Sequence, residues 1–331
     1  MNARASFCVA LTWLALLAGL PAHAIEVEQY PELRGFVAAM AEQHKFSEAR
    51  LLEMFRQVRV RSEIVETIER PRETQPWYDY RKLFLTDEHV SRGAEFWSKH
   101  ATALARAKRE YGVAPEVIVA ILGVETRYGR NGGQYPVVDA LTTLWLHYPP
   151  RADFFKHELE DVLLLARELN VDPRSIKGSY AGAIGMPQFM PSSYRRYAVD
   201  FDGDGKRDLV RSPEDVIGSV ANFLHVHGWE DGGPLVDDVE LHGTLYFWIE
   251  HLGVKPALNV AGLARYGILP RAEVAAERRA ALIGLEGETG PIYRLGYNNF
   301  YVITRYNRSK RYAMVVVELA TRLRRGREEA S

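Results

Sequence analysis

Cysteine is almost missing from this chain. The only one among 331 residues is Cys8, and it lies in an apolar N-terminal stretch. Beyond it there is no thiol for a disulfide or a thiolate metal site, so packing must supply the stability. An excess of one charge is missing too. The formal net charge is −1, and without the single Arg of residues 1–24, 41 basic side chains face 43 acidic ones, a net of −2. That excludes the electrostatic footprint of a nucleic-acid binder. The basic run Arg322 to Arg327 reads as a solvated helix end, where cations suit the dipole. Long apolar runs are scarce. Phe7 to Leu20 is apolar but too short to span a bilayer. No internal repeat and no Pro/Ser-rich linker marks an appended module. What is present is 47% hydrophobic content, enough for a substantial core and more than one lobe.

Arg4 precedes the apolar stretch, and Ala22-His23-Ala24 follows it as a small-residue cleavage pattern. Residues 1–24 read as a secretory signal peptide cut after Ala24. Cys8 is inside the apolar segment, away from the end where a lipid-modified cysteine would sit.

Residues 31–70 read as helices, from apolar residues at helical spacing such as Phe36-Val37-Met40 and Leu51 to Val58. Pro71 and Pro76 interrupt them. Trp77 to Arg81 is an aromatic and polar turn, either core packing or a sugar-stacking edge. Thr86 caps the next helix, which carries Phe96 and Trp97. Helices are also expected over Val137 to Leu146, Phe154 to Leu169, Leu241 to His251 and Arg311 to Arg324. Ala281 to Leu285 and Tyr301 to Thr304 read as strands, with turn residues Glu286 to Pro291 between them. A small α+β lobe would then precede the last helix, which is expected to return to the N-terminal helices.

Within this order one helix stands apart. Pro115 and Glu116 start it, as the first turn favours, and Ile118, Ile121 and Leu122 recur at helical spacing. Glu125 falls four residues after Ile121, on the same inward face. Desolvation there favours the protonated form that a general acid needs. A structural ion pair with Arg127 or Arg130 explains the same placement. Gly178 to Tyr194 is too rich in Gly, Pro and small residues for an ordinary helix. It reads as a tight loop that lets backbone approach a ligand, with Ser179, Gln188 and Ser193 as its polar groups.

Asp200-Phe201-Asp202-Gly203-Asp204-Gly205-Lys206-Arg207-Asp208 matches the first nine positions of a calcium loop. Carboxylates stand at positions 1, 3, 5 and 9, Lys206 offers its carbonyl at 7, and Gly205 sits at the sharp turn. Arg211 replaces the usual Glu at position 12; Glu214 or Asp215 could supply the last carboxylate. A structural calcium is expected. His157-Glu158-Leu159-Glu160 and the His225/His227 pair lack metal-site spacing.

Together these segments resemble the MltB-type lytic murein transglycosylases, a lysozyme-like family. Four motifs carry the likeness in order: Gly123 to Gly129, Gly178 to Tyr194, Ala198 to Gly205, and Asn299 to Asn307. The resemblance implies an α+β, mainly α fold with a lysozyme-like core, a helical lobe and a small β-containing lobe. Its parts are expected at 25–110 (helical lobe), 111–234 (core), 235–310 (small lobe) and 311–331 (last helix). It implies Glu125 as the catalytic acid and base, and Tyr80, Ser179, Gln188, Tyr301 and Tyr306 as glycan contacts. It implies calcium on Asp200, Asp202, Asp204 and the Lys206 carbonyl, with Asp215 as the later carboxylate. The implied substrate is peptidoglycan, cut between N-acetylmuramic acid and N-acetylglucosamine, in the periplasm. No second carboxylate stands out beside Glu125; Asp139 and Glu158 have solvent-facing or capping explanations. The family's route needs only one carboxylate, with the muramic C6 hydroxyl as nucleophile and a 1,6-anhydro product. A hydrolytic muramidase and a non-catalytic peptidoglycan-binding protein are the alternatives.

Overall fold

The computed structural model describes residues 23–70 and 75–329. The expected signal segment, up to residue 22, and the break at Pro71 lie outside the described residues. The chain divides into two compact units, up to Ser62 and from Glu63 onward. In the first, α1 (Pro31–His44) and α2 (Glu48–Phe55) bury Phe36, Met40, Leu51 and Phe55. Ser47 caps α2 by accepting the Arg50 N–H. A two-residue ladder joins β1 (His23–Ala24) to β2 (Arg59–Val60).

All of α3 (Ser62–Ile68) but its first residue belongs to the second unit, where α4 (Trp77–Tyr80) follows. Then come α5 (Asp87–Lys99), α6 (Ala101–Tyr111) and α7 (Pro115–Thr126). Thr86 caps α5 as expected, accepting the His89 N–H. α7 is buried nearly all round: Val117 to Leu122 have no exposure. Each such aliphatic side chain contributes roughly 1.5–3 kcal/mol relative to exposure. Its neighbours are α5, α6, α11 (Pro213–Val226) and α15 (Lys310–Glu329). The last helix therefore lies along α7 as well as α5. α8 (Val137–His147) packs on α9 (Ala152–Glu168), and α10 (Pro191–Tyr197) packs on α9. The short ladder β3 (Tyr135–Pro136) with β4 (Lys177–Gly178) joins the loops at both ends of this pair.

The sheet holds β5 (Val236–Leu241), β6 (Leu258–Asn259), β7 (Ile268–Pro270), β8 (Arg279–Gly287) and β9 (Gly290–Gly296) in the order β6-β8-β9-β5-β7, all antiparallel. Two short helices, α12 (Tyr246–Glu250) and α13 (Val260–Ala264), accompany it. Ile249, Leu263, Ile268, Leu282 and Leu295 form its core. The strand expected at Ala281 to Leu285 is the middle of β8. Two other expectations change. Tyr301 to Thr304 belongs to α14 (Asn298–Tyr306), where Phe300, Val302 and Ile303 point inward at helical spacing. The segment Leu241 to His251 is the end of β5, a turn and the five-residue α12.

The sheet is tied to the helices by side chains. Glu286 on β8 accepts from the Trp77 N–H (3.4 Å) and from Arg311 (2.6 Å). Asn299 accepts the Glu230 N–H at 2.8 Å and donates to the Glu230 and Gly233 carbonyls.

Candidate active site

Glu125 sits in the last turn of α7, half-buried. The helix stops there because Arg127, Tyr128 and Gly129 all take positive φ, 50°, 61° and 89°. Such a run persists only when its surroundings over-determine it. Here they do. The Tyr128 hydroxyl donates to the His89 carbonyl at 2.9 Å, and its ring stacks on Phe96. The ring occupies space that two glycines leave open: a Cβ at Gly93 or Gly123 would come within 2.5 or 2.6 Å of the hydroxyl. That accounts for Gly123, a glycine inside a buried helix. Arg127 is exposed, and its charge is felt by His89.

The Tyr312 hydroxyl, from α15, donates to Glu125 Oε1 at 2.7 Å. Tyr312 is 2% exposed. Burial, reinforced by the Glu125 charge, pushes its hydroxyl well above the usual range, so it remains a donor. Tyr306 lies parallel to Tyr312, with ring centroids 6.5 Å apart. Burial and then the Glu125 charge raise its hydroxyl as well. That hydroxyl is given to the Pro187 carbonyl. Tyr80 is close enough to Tyr312 for its charge to matter there, yet it is only 1% exposed. Trp77 is 2% exposed. Of the two readings of Trp77 to Arg81, the burial of Trp77 and Tyr80 fits core packing.

The 178–190 loop is fixed against the end of α7. The Thr126 hydroxyl donates to the Met186 carbonyl and accepts the Gly129 N–H, both at 2.9 Å. Gln188 has φ 50°, and its amide donates to the Gly132 (3.2 Å) and Gly185 (2.8 Å) carbonyls. Both amide hydrogens are thereby used, so the amide oxygen is the side chain's remaining polar atom. Ser179 Oγ accepts the Ala183 N–H at 3.1 Å, so its hydroxyl proton is the group available for donation. Gly185 (φ 72°) must be glycine, since a Cβ would lie 2.3 Å from the Leu209 carbonyl oxygen. The structure therefore brings Glu125, Tyr306, Tyr312 and the Gln188 loop together. Tyr301 lies elsewhere on α14, lining a hollow of about 540 Å³ with Lys255, Arg278 and Asn298.

The two spare carboxylates are not solvent-facing. Asp139 is 3% exposed and Glu158 4%. Glu158 caps α10, accepting the Ser192 N–H (2.9 Å) and O–H (2.7 Å). Burial raises its carboxyl above the ordinary value, against the pull of those two donors.

Downstream of the site, Asp200, Asp202 and Asp204 each offer an oxygen within 4.8 Å of the others, all exposed. The Ser212 hydroxyl and the Asp204 N–H hold the Asp202 carboxyl below its usual value. Asp200 gathers the Gly203, Asp204 and Gly205 N–H groups. A cluster of hard oxygens on a loop shaped by Gly203 and Gly205, both at positive φ, fits calcium. Asp215 is placed differently from the expected ligand. Fully buried, it accepts the Phe201 (2.6 Å) and Asp202 (3.2 Å) N–H groups on one oxygen and the Asp208 N–H (2.7 Å) on the other. It holds the loop from inside. The loop in turn joins the site: the Leu209 N–H reaches the Tyr194 hydroxyl, and the Leu209 carbonyl accepts the Met186 N–H at 2.9 Å.

Sequence reading missed Tyr312. It is 187 positions from Glu125, on a helix whose apolar spacing gives Tyr312 the look of an ordinary core residue.

The fold is α+β, mainly α, and lysozyme-like. Residues 28–321 match the family described as the transglycosylase SLT domain, and the chain belongs to that family. It is similar to the membrane-bound lytic murein transglycosylase B of Escherichia coli K12, 41% identical over 299 residues, 87% of this chain and 81% of that protein. The soluble lytic transglycosylase SltB1 of Pseudomonas aeruginosa superposes with a TM-score of 0.85 at 47% identity, over 90% of this chain and all of that one. The Escherichia coli lytic transglycosylase Slt35 in complex with calcium gives a TM-score of 0.84 at 40% identity, over 92% of this chain and 96% of that one.

Proposed function

We propose that the protein is a lytic murein transglycosylase that cuts the β-1,4 bond between N-acetylmuramic acid and N-acetylglucosamine, with Glu125 as its only proton carrier. The observation that carries this is the Tyr312 hydroxyl on Glu125 Oε1. A neutral donor orients a half-buried carboxyl without neutralising it, as a group that must give and take a proton requires. Protonated Glu125 gives its proton to the departing glycosidic oxygen as the C1–O bond breaks. The substrate's 2-acetamido oxygen supports the charge at C1. Glu125, now a base, takes the proton of the muramic C6 hydroxyl as that oxygen bonds to C1. The proton is returned, no water is consumed, and the product ends in 1,6-anhydromuramic acid. The intramolecular hydroxyl has the advantage of proximity over water.

Ser179 and Gln188 fit the acetamido and sugar groups, the first as donor through its hydroxyl, the second as acceptor through its amide oxygen. Tyr306 holds the loop beside Gln188 through the Pro187 carbonyl, and Tyr80, buried, lies near enough to Tyr312 to act on it electrostatically. Tyr301 would meet a more distant part of the glycan. Calcium would be held by Asp200, Asp202, Asp204 and the Lys206 carbonyl, where it would neutralise the crowded carboxylates and stiffen the loop behind Met186. The calcium of the Slt35 structure supports this. Among the described residues no helix is long and apolar enough to cross a membrane. The proposed compartment is the periplasm, reached with a signal peptide cleaved after Ala24.

Mass spectrometry of murein digested by the purified protein tests the reaction. Anhydro ends are expected from the wild type and none from Glu125→Gln. Reducing ends in their place would make it a hydrolytic muramidase.

A further inference from the structure

The second unit turns its large apolar side chains inward, with one concentration of exceptions. Ten such side chains are exposed among the described residues, and four of them, Leu245, Phe247, Trp248 and Leu252, fall within eight positions. Trp248 is 73% exposed, the highest of the ten. Elsewhere the exposed apolar residues are scattered, which is ordinary; a cluster is not.

The cluster is built on α12. Its flanking residues Leu245 (φ −67°, ψ −20°) and His251 (φ −72°, ψ −11°) continue the helical backbone. At about 100° per residue, Phe247, His251, Trp248, Leu252 and Leu245 follow one another around one side. Tyr246, Ile249 and Glu250 take the other. Ile249 and Tyr246 belong to the core of the sheet. The outward apolar face is therefore additional to the one that holds the helix in place.

Charge separates the possible occupants. Between Leu241 and Val260 the only acidic residue is Glu250, and it is turned inward to accept the Tyr293 hydroxyl at 3.3 Å. The exposed ionisable side chains of that stretch are His242, His251 and Lys255. An apolar, aromatic face whose exposed ionisable neighbours along the chain are two histidines and a lysine, with no exposed acid, complements an anionic lipid headgroup layer. Tryptophan and phenylalanine on a short in-plane helix suit the headgroup boundary. A sugar platform needs polar groups beside the ring to bind hydroxyls, and Thr244 and His251 are all that this side of α12 supplies.

We propose that the α12 face docks on a phospholipid surface carrying anionic headgroups, placing the protein at a membrane. The proposal is independent of the assigned reaction. The test is flotation of the mature protein with vesicles of phosphatidylcholine, alone and mixed with phosphatidylglycerol, with tryptophan emission recorded alongside. The wild type should float with the mixed vesicles and its emission should shift to the blue. The double variant Phe247→Ser/Trp248→Ser should bind roughly tenfold less or weaker, with its thermal midpoint and murein turnover unchanged. Wild type that stays unbound, or a double variant that floats equally well, overturns the proposal. So does a double variant that keeps vesicle binding but loses sedimentation with purified murein, which would mark a sugar platform. Self-association lost on substitution, without any vesicle binding, would assign the face to a second copy of the chain.

Discussion

Two groups of carboxylates lie on either side of the 178–190 loop, and they are handled in opposite ways. Glu125 is half-buried, and a neutral hydroxyl, that of Tyr312, donates to its carboxyl. Asp200, Asp202 and Asp204 are exposed and crowded together, with backbone N–H groups as partners. A carboxyl withdrawn among neutral tyrosines can hold and release a proton. Three exposed carboxylates that face one another cannot relieve their repulsion by burial, and a divalent cation is the natural remedy. The difference in surroundings separates proton chemistry from cation binding, although the functional group is the same.

The largest expected effect tests the first half of this contrast. Glu125→Gln should reduce murein turnover by roughly 10³-fold or more, with an unchanged circular dichroism spectrum and melting point. Comparable turnover in the variant would remove Glu125 from the proton-carrying role.

Next in size is a test within the aspartate region. Asp215 is buried and holds three backbone N–H groups, so Asp215→Ala leaves them without a partner. A loss of about 3 kcal/mol in unfolding free energy is expected, with or without chelator. Asp202→Asn should behave differently. Its stability in chelator should match the wild type in chelator, while the rise in melting temperature on adding calcium should vanish. Should Asp202→Asn cost as much as Asp215→Ala in chelator, the division between ligand and internal brace fails.

Tyr312→Phe tests the neutral partner. Loss of a hydroxyl donated to a carboxylate should lower kcat roughly tenfold and leave KM nearly unchanged, since the phenol ring still fills its place. A rise in KM with kcat intact would turn Tyr312 into a binding residue.

Much of this arrangement was legible in sequence because its causes are local. Pro115 and the apolar spacing identify α7, and three alternating aspartates with Gly205 identify the cation loop. Legibility ended where distant elements decide. Tyr301 to Thr304 carries the aromatic and β-branched residues of a strand, but burial of Phe300, Val302 and Ile303 makes it helix. β9 went unseen because Pro291 and Gly296 disguise it, although its pairing with β8 fixes it. Position after the loop leaves Glu214 and Asp215 open and the family resemblance implies Asp215 as the ligand; only the fold turns Asp215 inward. Gly123 needed a partner in another element, the Tyr128 ring, before its absence of a side chain had a reason.

The smallest effect concerns Glu158, a carboxylate more buried than Glu125 but held by the Ser192 N–H and O–H. Burial raises its carboxyl above the ordinary 4.5. Between that value and the raised one, the folded protein binds more protons than the unfolded chain, so this group's contribution to stability falls as pH rises through the window. Glutamine at this position does not titrate. The melting temperature of the wild type minus that of Glu158→Gln should therefore shrink, by about 1–3 °C, as pH rises from below the window to above it. All other titrating groups are shared by the two proteins and cancel in the difference. A constant gap would mean that Glu158 ionises as readily inside the protein as outside, with the Ser192 donors fully offsetting its burial. Burial alone would then not set a carboxyl's proton affinity in this fold, and the contrast between Glu125 and the aspartates would rest on the kind of donor each one meets.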